Sequence, residues 1–193
     1  MPRRDIQFVK GAYYHIYNRG CNRENIFFSD ENYEFLIRKF RKQSYKYGAN
    51  FIAYCLMPNH YHLLLRQEND SPLNEFVKHV FNSYSKAINV SMKRTGTLFE
   101  GKFKAIAVDD NNYLIHLCRY IHRNPLEAKL VDDIEKWKYS NYLEWIGKRN
   151  DELVDREYIG WYFKSGQEYK DFVLDYKSTK EKDKEFEKYL LDK

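Results

Sequence analysis

His60 and His62 stand two residues apart inside the apolar run Leu56-Met57-Pro58-Asn59-His60-Tyr61-His62-Leu63-Leu64-Leu65. On a β-strand successive side chains alternate faces, so the two imidazoles point the same way and Tyr61 points into the opposite layer. Two neutral imidazoles side by side make a metal-ligand pair, and they are costly to leave unpaired on so apolar a strand. Further along, His116, Tyr120 and Asn124 are spaced i, i+4 and i+8, which on a helix puts them on one stripe together with Tyr113. A tyrosine hydroxyl, with an ordinary pKa of about 10, needs a cation or base beside it to attack at neutral pH. Docking that helix against the His60/His62 edge would supply one. Asn124 offers an amide oxygen as a third ligand. A metal on two imidazoles and an amide keeps positions open for a phosphate oxygen, which suits Lewis-acid polarisation of a phosphodiester. Taken singly, these residues also have plainer readings: two hydrogen-bonded core histidines, and a packing tyrosine in a chain that has 18 of them. His116 fits a supporting position behind the ligands as well as a ligand position. His15, His79 and His122 carry no catalytic expectation.

The elements that must position these residues can be read in order. Tyr13 to Asn18 forms a first strand, and Arg19 to Arg23 a loop with two positive charges. Ser29 or Asp30 caps a helix with Tyr33, Leu36, Ile37 and Phe40 inward, Arg38 to Lys46 on a basic solvated face, and Gly48 at its end. Phe51 to Met57 and His60 to Arg66 make an antiparallel pair around Pro58-Asn59. Ser71-Pro72 starts a helix that runs to about Lys93. The glycine-bounded loop Gly96 to Lys104 leads into a strand ending at Val108, and Asp109 or Asp110 caps a third helix that buries Leu114, Leu117, Cys118 and Ile121. That helix is expected to stop near Asn124, because Pro125 disfavours helical geometry in the residue before it. The order βαββαβα predicts an α+β fold, a ferredoxin-like antiparallel sheet with helices on one face, rather than a doubly wound parallel sheet. Trp137, Tyr139, Tyr142 and Trp145 predict an aromatic segment wrapping back on the core. A polar break at Gly147 to Asp151 divides a main domain, 1–150, from a helical carboxy-terminal extension, 151–193, that is highly charged from Lys177 onward.

Composition bounds the function. The 193 residues suit one domain with appendages, and 18 Tyr with 13 Phe predict an aromatic core. No run reaches the ~18 apolar residues of a membrane span, and the amino terminus has no signal-peptide apolar core, so the chain is expected in the cytoplasm. Cys21, Cys55 and Cys118 lack CxxC spacing, which argues against a disulfide framework or a cysteine zinc site. Charge is uneven: residues 1–150 carry 24 Lys and Arg against 16 Asp and Glu, residues 151–193 carry 9 against 12. A basic, aromatic domain suits a surface that neutralises phosphates and stacks bases.

Four blocks occur in one order: Tyr14-His15-Ile16-Tyr17-Asn18-Arg19-Gly20, Cys55-Leu56-Met57-Pro58-Asn59-His60-Tyr61-His62, Thr97-Leu98-Phe99-Glu100-Gly101-Lys102-Phe103-Lys104, and Arg119-Tyr120-Ile121-His122-Arg123-Asn124-Pro125. In these blocks the chain resembles the single-tyrosine, IS200-like transposases with a His-hydrophobic-His metal motif, and within them the REP-associated tyrosine transposases. The resemblance spans roughly residues 12–145 and becomes loose in the tail. It implies that residues 1–150 form the transposase domain, that His60, His62 and Asn124 bind Mg²⁺ or Mn²⁺, and that Tyr120 attacks single-stranded DNA at hairpin-forming repeats. The product would be a 5′-phosphotyrosine link and a free 3′-hydroxyl. Arg19, Arg23, Lys93, Arg94, Lys102, Lys104, Arg119 and Arg123 are the expected DNA contacts, with His116 and Tyr113 behind the site. A monomer and a homodimer both fit, since Tyr120 could serve its own site or a partner's. A non-catalytic relative that binds DNA or RNA hairpins is the second reading, and a zinc-binding module using His60, His62 and His116 the third.

Overall fold

The computed structural model describes residues 6–175. Within them run β1 (Tyr13–Arg19), α1 (Asp30–Tyr47), β2 (Ala49–Met57), β3 (His60–Gln67), α2 (Leu73–Ser91), β4 (Lys104–Val108), α3 (Asn111–Glu127), α4 (Tyr142–Trp145), α5 (Arg156–Tyr162) and α6 (Gly166–Leu174). The charged stretch from Lys177 onward lies outside the described residues. The four strands form one sheet in the order β2-β3-β1-β4, with every neighbouring pair antiparallel. This is the ferredoxin-like α+β arrangement the element order predicts.

Alternation along the strands builds two cores. Tyr14 and Ile16 of β1 and Tyr61, Leu63 and Leu65 of β3 face α1 and α2, which cover that side with Leu36, Phe40, Phe76, Val80 and Tyr84. The expectation of helices on one face therefore holds for α1 and α2 but not for the third helix. The next helix, α3, lies on the other face, where Leu114, Leu117, Cys118 and Ile121 pack on Ile52, Ala53, Cys55, Met57 and Leu64. The physical reason is in β2 and β3, which are apolar on both sides and would otherwise expose the second face to water. The sheet separates the two layers, and the imidazole pair falls in the α3 layer.

Local chemistry sets the element ends. Gly48 closes α1 in the left-handed conformation (φ 58°) with its N–H on Ser44 O, and an added Cβ there would meet the Asn69 side chain at 2.5 Å. Asp110 caps α3 by accepting the Tyr113 N–H at 2.9 Å. One expectation is corrected. Helix α3 does not stop at Asn124 but runs through Pro125 to Glu127. The proline sits in the last turn, where the lost N–H and the ring clash disturb few helical bonds, and its own side chain is buried.

The aromatic segment wraps back along the outer edge of β2: Leu56 N–H donates to Tyr139 O, Trp137 Nε1 to Leu56 O, and the carbonyl of Ile52, at a register shift in β2, accepts from Asn141 Nδ2 and Trp145 Nε1. Asn141 also ties α3 down. Its Nδ2 donates to Ile52 O, so its Oδ1 is the acceptor for Tyr54 N–H (2.7 Å) and for His122 Nε2–H (2.8 Å), which leaves His122 Nδ1 to accept the Tyr169 hydroxyl of α6 at 2.6 Å. His122 thus joins β2, α3 and α6 through one fully satisfied, fully buried ring.

Burial pulls the His122 pKa down to about 4 from an ordinary 6.5. The folded-state value lies below the unfolded one, so the unfolded chain takes up the proton first. The contribution is complete above pH 6.5 and is lost as pH falls through about 4, at a cost on the order of 3 kcal/mol. Denaturant titrations at neutral and acidic pH should show this loss, and His122→Gln should be less stable at neutral pH but lose less on acidification.

Candidate active site

The two-residue turn Pro58-Asn59 makes His60 the first residue of β3, paired with Arg19 across the sheet, while His62 pairs with Tyr17. The turn is gripped from outside: Ile26 and Phe27 donate to Pro58 O, Gly20 N–H to Asn59 O at 2.7 Å, and Asn59 Nδ2 to Arg23 O at 3.2 Å. Gly20 is required there by crowding, since an added Cβ would lie 2.0 Å from Glu24 O.

These bonds fix which atoms of the site carry lone pairs. With Asn59 Nδ2 committed to Arg23, Asn59 Oδ1 is an acceptor, and it lies 2.7 Å from His60 Nδ1, which must therefore carry the proton. The neutral ring then turns the Nε2 lone pair toward Asn124 Oδ1 at 3.4 Å. That oxygen is also an acceptor, because Asn124 Nδ2 donates to Tyr120 O at 3.1 Å. Two acceptors face each other in a buried place, and only an added positive charge relieves the contact. Two residues on, His62 Nδ1 is 2.9 Å from His15 Nε2, and His62 Nε2 is buried without a hydrogen-bond partner among the described residues. Burial first, then the neighbouring His15 and His60, hold the His62 pKa well below its usual range, so this ring stays neutral and keeps its capacity to ligate. The Tyr120 ring stands nearly perpendicular to that of His62, at 80° and 5.4 Å between centroids, and His60 and His62 are 5.2 Å apart.

The structure therefore brings His60, His62, Tyr120 and Asn124 together. These groups suit a divalent cation: the His60 nitrogen and the Asn124 amide oxygen face each other at 3.4 Å, and the neighbouring His62 ring has a buried nitrogen without a hydrogen-bond partner among the described residues. No group of three or more His, Cys, Asp or Glu with metal-site geometry occurs among the described residues, so the set depends on the amide. His116 is placed elsewhere. It bonds Arg119 Nη2 at 2.8 Å and lies 5.5 Å from the Phe172 ring of α6. Tyr113, near the start of α3, packs at the rim of the second core.

Of the expected DNA contacts, Arg19 pairs with Glu100 on the glycine-bounded loop, and that loop is bonded to the Arg19–Arg23 segment through Cys21 N–H to Leu98 O and Glu100 N–H to Arg19 O. Arg19 and Arg23 thus stand beside the His60 end of the sheet. Lys104 projects on the histidine face, 5.9 Å above the Tyr17 ring, and Lys102 is exposed. Lys93 and Arg94 follow α2. Arg119 and Arg123 are turned toward α6, where Arg119 lies 4.4 Å over Phe172 and donates to its carbonyl at 3.4 Å, and Arg123 donates to Val173 O at 2.9 Å. They meet carbonyls in the last turn of α6, at the negative end of its dipole.

Reading the sequence missed His15 and His122. Alternation shows that His15 shares a face with Tyr17, but only the β1–β3 register, which pairs His15 with Leu64 and Tyr17 with His62, sets it against His62. His122 had no local signal, since its partners Asn141 and Tyr169 are remote in sequence.

Comparison with known proteins identifies the family of the chain. The family profile described as "Transposase IS200 like" matches residues 8–124, a span that contains His60, His62, Tyr120 and Asn124. No curated protein matches the chain at a significant level. Among solved structures, a REP-associated tyrosine transposase bound to a REP hairpin is similar over 81% of this chain and 98% of its own, with a TM-score of 0.64 and 15% identity. A putative transposase from Deinococcus radiodurans R1 matches 64% of this chain and 95% of its own, at 18% identity and a TM-score of 0.42. With the profile covering more than half of its length, the chain belongs to the IS200-like transposase family.

Proposed function

We propose that this transposase nicks and rejoins single-stranded DNA at hairpin-forming repeats, with Tyr120 as the nucleophile and a divalent metal at His60, His62 and Asn124. The observation that carries the reading is the placement of the Tyr120 ring against His62, beside the opposed lone pairs of His60 Nε2 and Asn124 Oδ1. The hairpin held by the REP-associated transposase of similar fold adds support for the substrate.

In this reading the Tyr120 hydroxyl attacks the scissile phosphorus, forming an Oη–P bond as the bond from phosphorus to the 3′-oxygen breaks and the tyrosine proton leaves. The strand is left with a 5′-phosphotyrosine and a free 3′-hydroxyl. Sealing runs the exchange in reverse with another strand's 3′-hydroxyl, so the phosphodiester energy is conserved and no ATP is consumed. Mg²⁺ or Mn²⁺, bound by His60 Nε2, His62 Nε2 and Asn124 Oδ1, would supply Lewis-acid polarisation of the phosphate. Asn124 also orients the nucleophile's turn through its bond to Tyr120 O. Arg19, Arg23, Lys93, Arg94, Lys102 and Lys104 neutralise phosphates and make affinity fall steeply with salt. His15 Nε2 lies 2.9 Å from His62 Nδ1; with His62 Nδ1 as the donor of that bond, His62 Nε2 would be left to ligate the cation. The contacts of Arg119 and Arg123 assign residues 151–175 a positioning task, holding α3 from behind.

Incubating the protein with a hairpin oligonucleotide and Mg²⁺ or Mn²⁺ should give a covalent protein–DNA adduct that EDTA prevents. Tyr120→Phe should abolish it while hairpin affinity changes less than about twofold, because one hydroxyl is removed and no phosphate contact is lost. Hairpin binding without any adduct would favour the non-catalytic reading, and transfer of the adduct to Tyr113 would displace the nucleophile. His15→Leu should weaken Mn²⁺ binding by about 10- to 100-fold in a titration followed by electron paramagnetic resonance, and His15→Gln, which restores an acceptor, should recover part of it. Unchanged affinity in a folded His15→Leu protein would remove His15 from the site.

A further inference from the structure

Arg19 is the last residue of β1 and falls on the histidine face with His15 and Tyr17, since Tyr14 and Ile16 face α1 and α2. The register pairs it with His60, so the two Cα atoms oppose each other about 5 Å apart across the β1–β3 ladder. A guanidinium and a proposed ligand thus start from the same rung of the sheet.

An acid stands behind that guanidinium. Glu100 takes Arg19 Nε in an ion pair, and its own N–H donates to Arg19 O at 2.9 Å. The loop that carries Glu100 is fixed to the strand end at three more points: Cys21 N–H to Leu98 O at 3.1 Å, Asn18 Nδ2 to Gly101 O at 3.2 Å, and a bridge between Gly20 and Phe99. The Phe99 ring anchors it in the first core, edge-on to Tyr61 at 5.9 Å and to Phe81 at 5.6 Å. The carboxylate therefore meets Arg19 from a docked backbone.

Glu100 has an unexpected place for an acid. Arg19 above all, then Lys104 and Arg23, hold its carboxyl below the usual carboxylate range, so a full negative charge stands among cations suited to phosphates. Such a charge weakens the attraction for DNA, and an ion pair this exposed contributes little to stability. What it supplies is direction. A guanidinium bonded through Nε has its plane fixed, and its terminal nitrogens then form a fork that matches two oxygens of a phosphoryl group. Arg119 and Arg123, nearer to Tyr120 in sequence, are turned to α6 instead.

We propose that Arg19 is a further catalytic residue, whose guanidinium binds non-bridging oxygens of the phosphorus that Tyr120 attacks, and that Glu100 is the positioning residue that aims it. The proposal rests on the function proposed above. As the Oη–P bond forms and the bond to the 3′-oxygen breaks, negative charge grows on the phosphoryl oxygens. A cation oriented in advance stabilises that change and neither gives up nor takes a proton.

The test compares single-turnover adduct formation at saturating protein with hairpin affinity, the latter measured in the Tyr120→Phe background. Arg19→Ala should slow the adduct step by about 100- to 1,000-fold and weaken hairpin binding by less than about tenfold. Mn²⁺ affinity should not fall, and added guanidinium ion should restore part of the rate. Arg19→Lys, which keeps the charge and loses the fork, should still be slowed by about tenfold or more. Glu100→Gln should slow the step by about tenfold with affinity equal or tighter, and should add nothing in the Arg19→Ala chain, because it acts only through that side chain. Equal losses of rate and affinity in Arg19→Ala make Arg19 an ordinary phosphate contact and overturn the proposal. So do a full rate in Arg19→Lys, a faster step in Glu100→Gln, additive effects of the two substitutions, or a parallel loss of Mn²⁺ affinity. If the unsubstituted chain forms the adduct and Arg19→Ala forms it as fast, the arginine inference alone is wrong. If the unsubstituted chain forms no adduct, both readings fall.

Discussion

The chemistry proposed for this protein depends on two lone pairs aimed at each other. His60 Nε2 and Asn124 Oδ1 lie 3.4 Å apart, and the bonds on their far sides, to Asn59 Oδ1 and Tyr120 O, prevent either from becoming the donor while His60 is neutral. Beside them the buried Nε2 of His62 has no hydrogen-bond partner among the described residues. A folded chain would not keep such an arrangement for stability, since a buried unpaired polar atom costs about 1–3 kcal/mol and two opposed acceptors add repulsion. A cation there turns three unfavourable groups into ligands. The proposed nucleophile comes with them, because Tyr120 and Asn124 are successive turns of one helix.

The rest of the fold keeps that geometry in register. The β2–β3 turn sets His60 at the strand end, and the segment through Arg23 grips the turn. Helix α3 is held against the sheet by its apolar stripe and rotationally by His122, which bonds Asn141 on one side and Tyr169 on the other. A helix held by packing alone can slide by fractions of a turn; one with a buried, directional ring bond on its axis cannot do so without leaving polar groups unpaired. Arg119 and Arg123 extend this support to the end of α6, so the two charges nearest Tyr120 in sequence act in the protein's own architecture.

Much of this was legible in the sequence, for physical reasons. Alternation places His60 and His62 on one face and Tyr61 on the other, and the α3 stripe of Leu114, Leu117, Cys118 and Ile121 follows from helical period; all of these residues are buried as that reading requires. What stayed hidden depends on register and on contacts remote in sequence. His15 meets His62 only because β1 pairs with β3 in one particular alignment. His116 fits the tyrosine stripe by spacing, yet its position on the α6 side lets Arg119 and Phe172 claim it. Pro125 misled because the rule about the residue before proline is local, while the last turn of α3 is held by the core it packs on.

The central claim, that these lone pairs form a metal site which the nucleophile adjoins, is tested most directly by diffraction from crystals grown with Mn²⁺, at the manganese edge. A single strong anomalous peak within coordination distance of His60 Nε2, His62 Nε2 and Asn124 Oδ1 is the predicted result. No peak there at saturating Mn²⁺, or a peak coordinated instead by His116, would contradict the account.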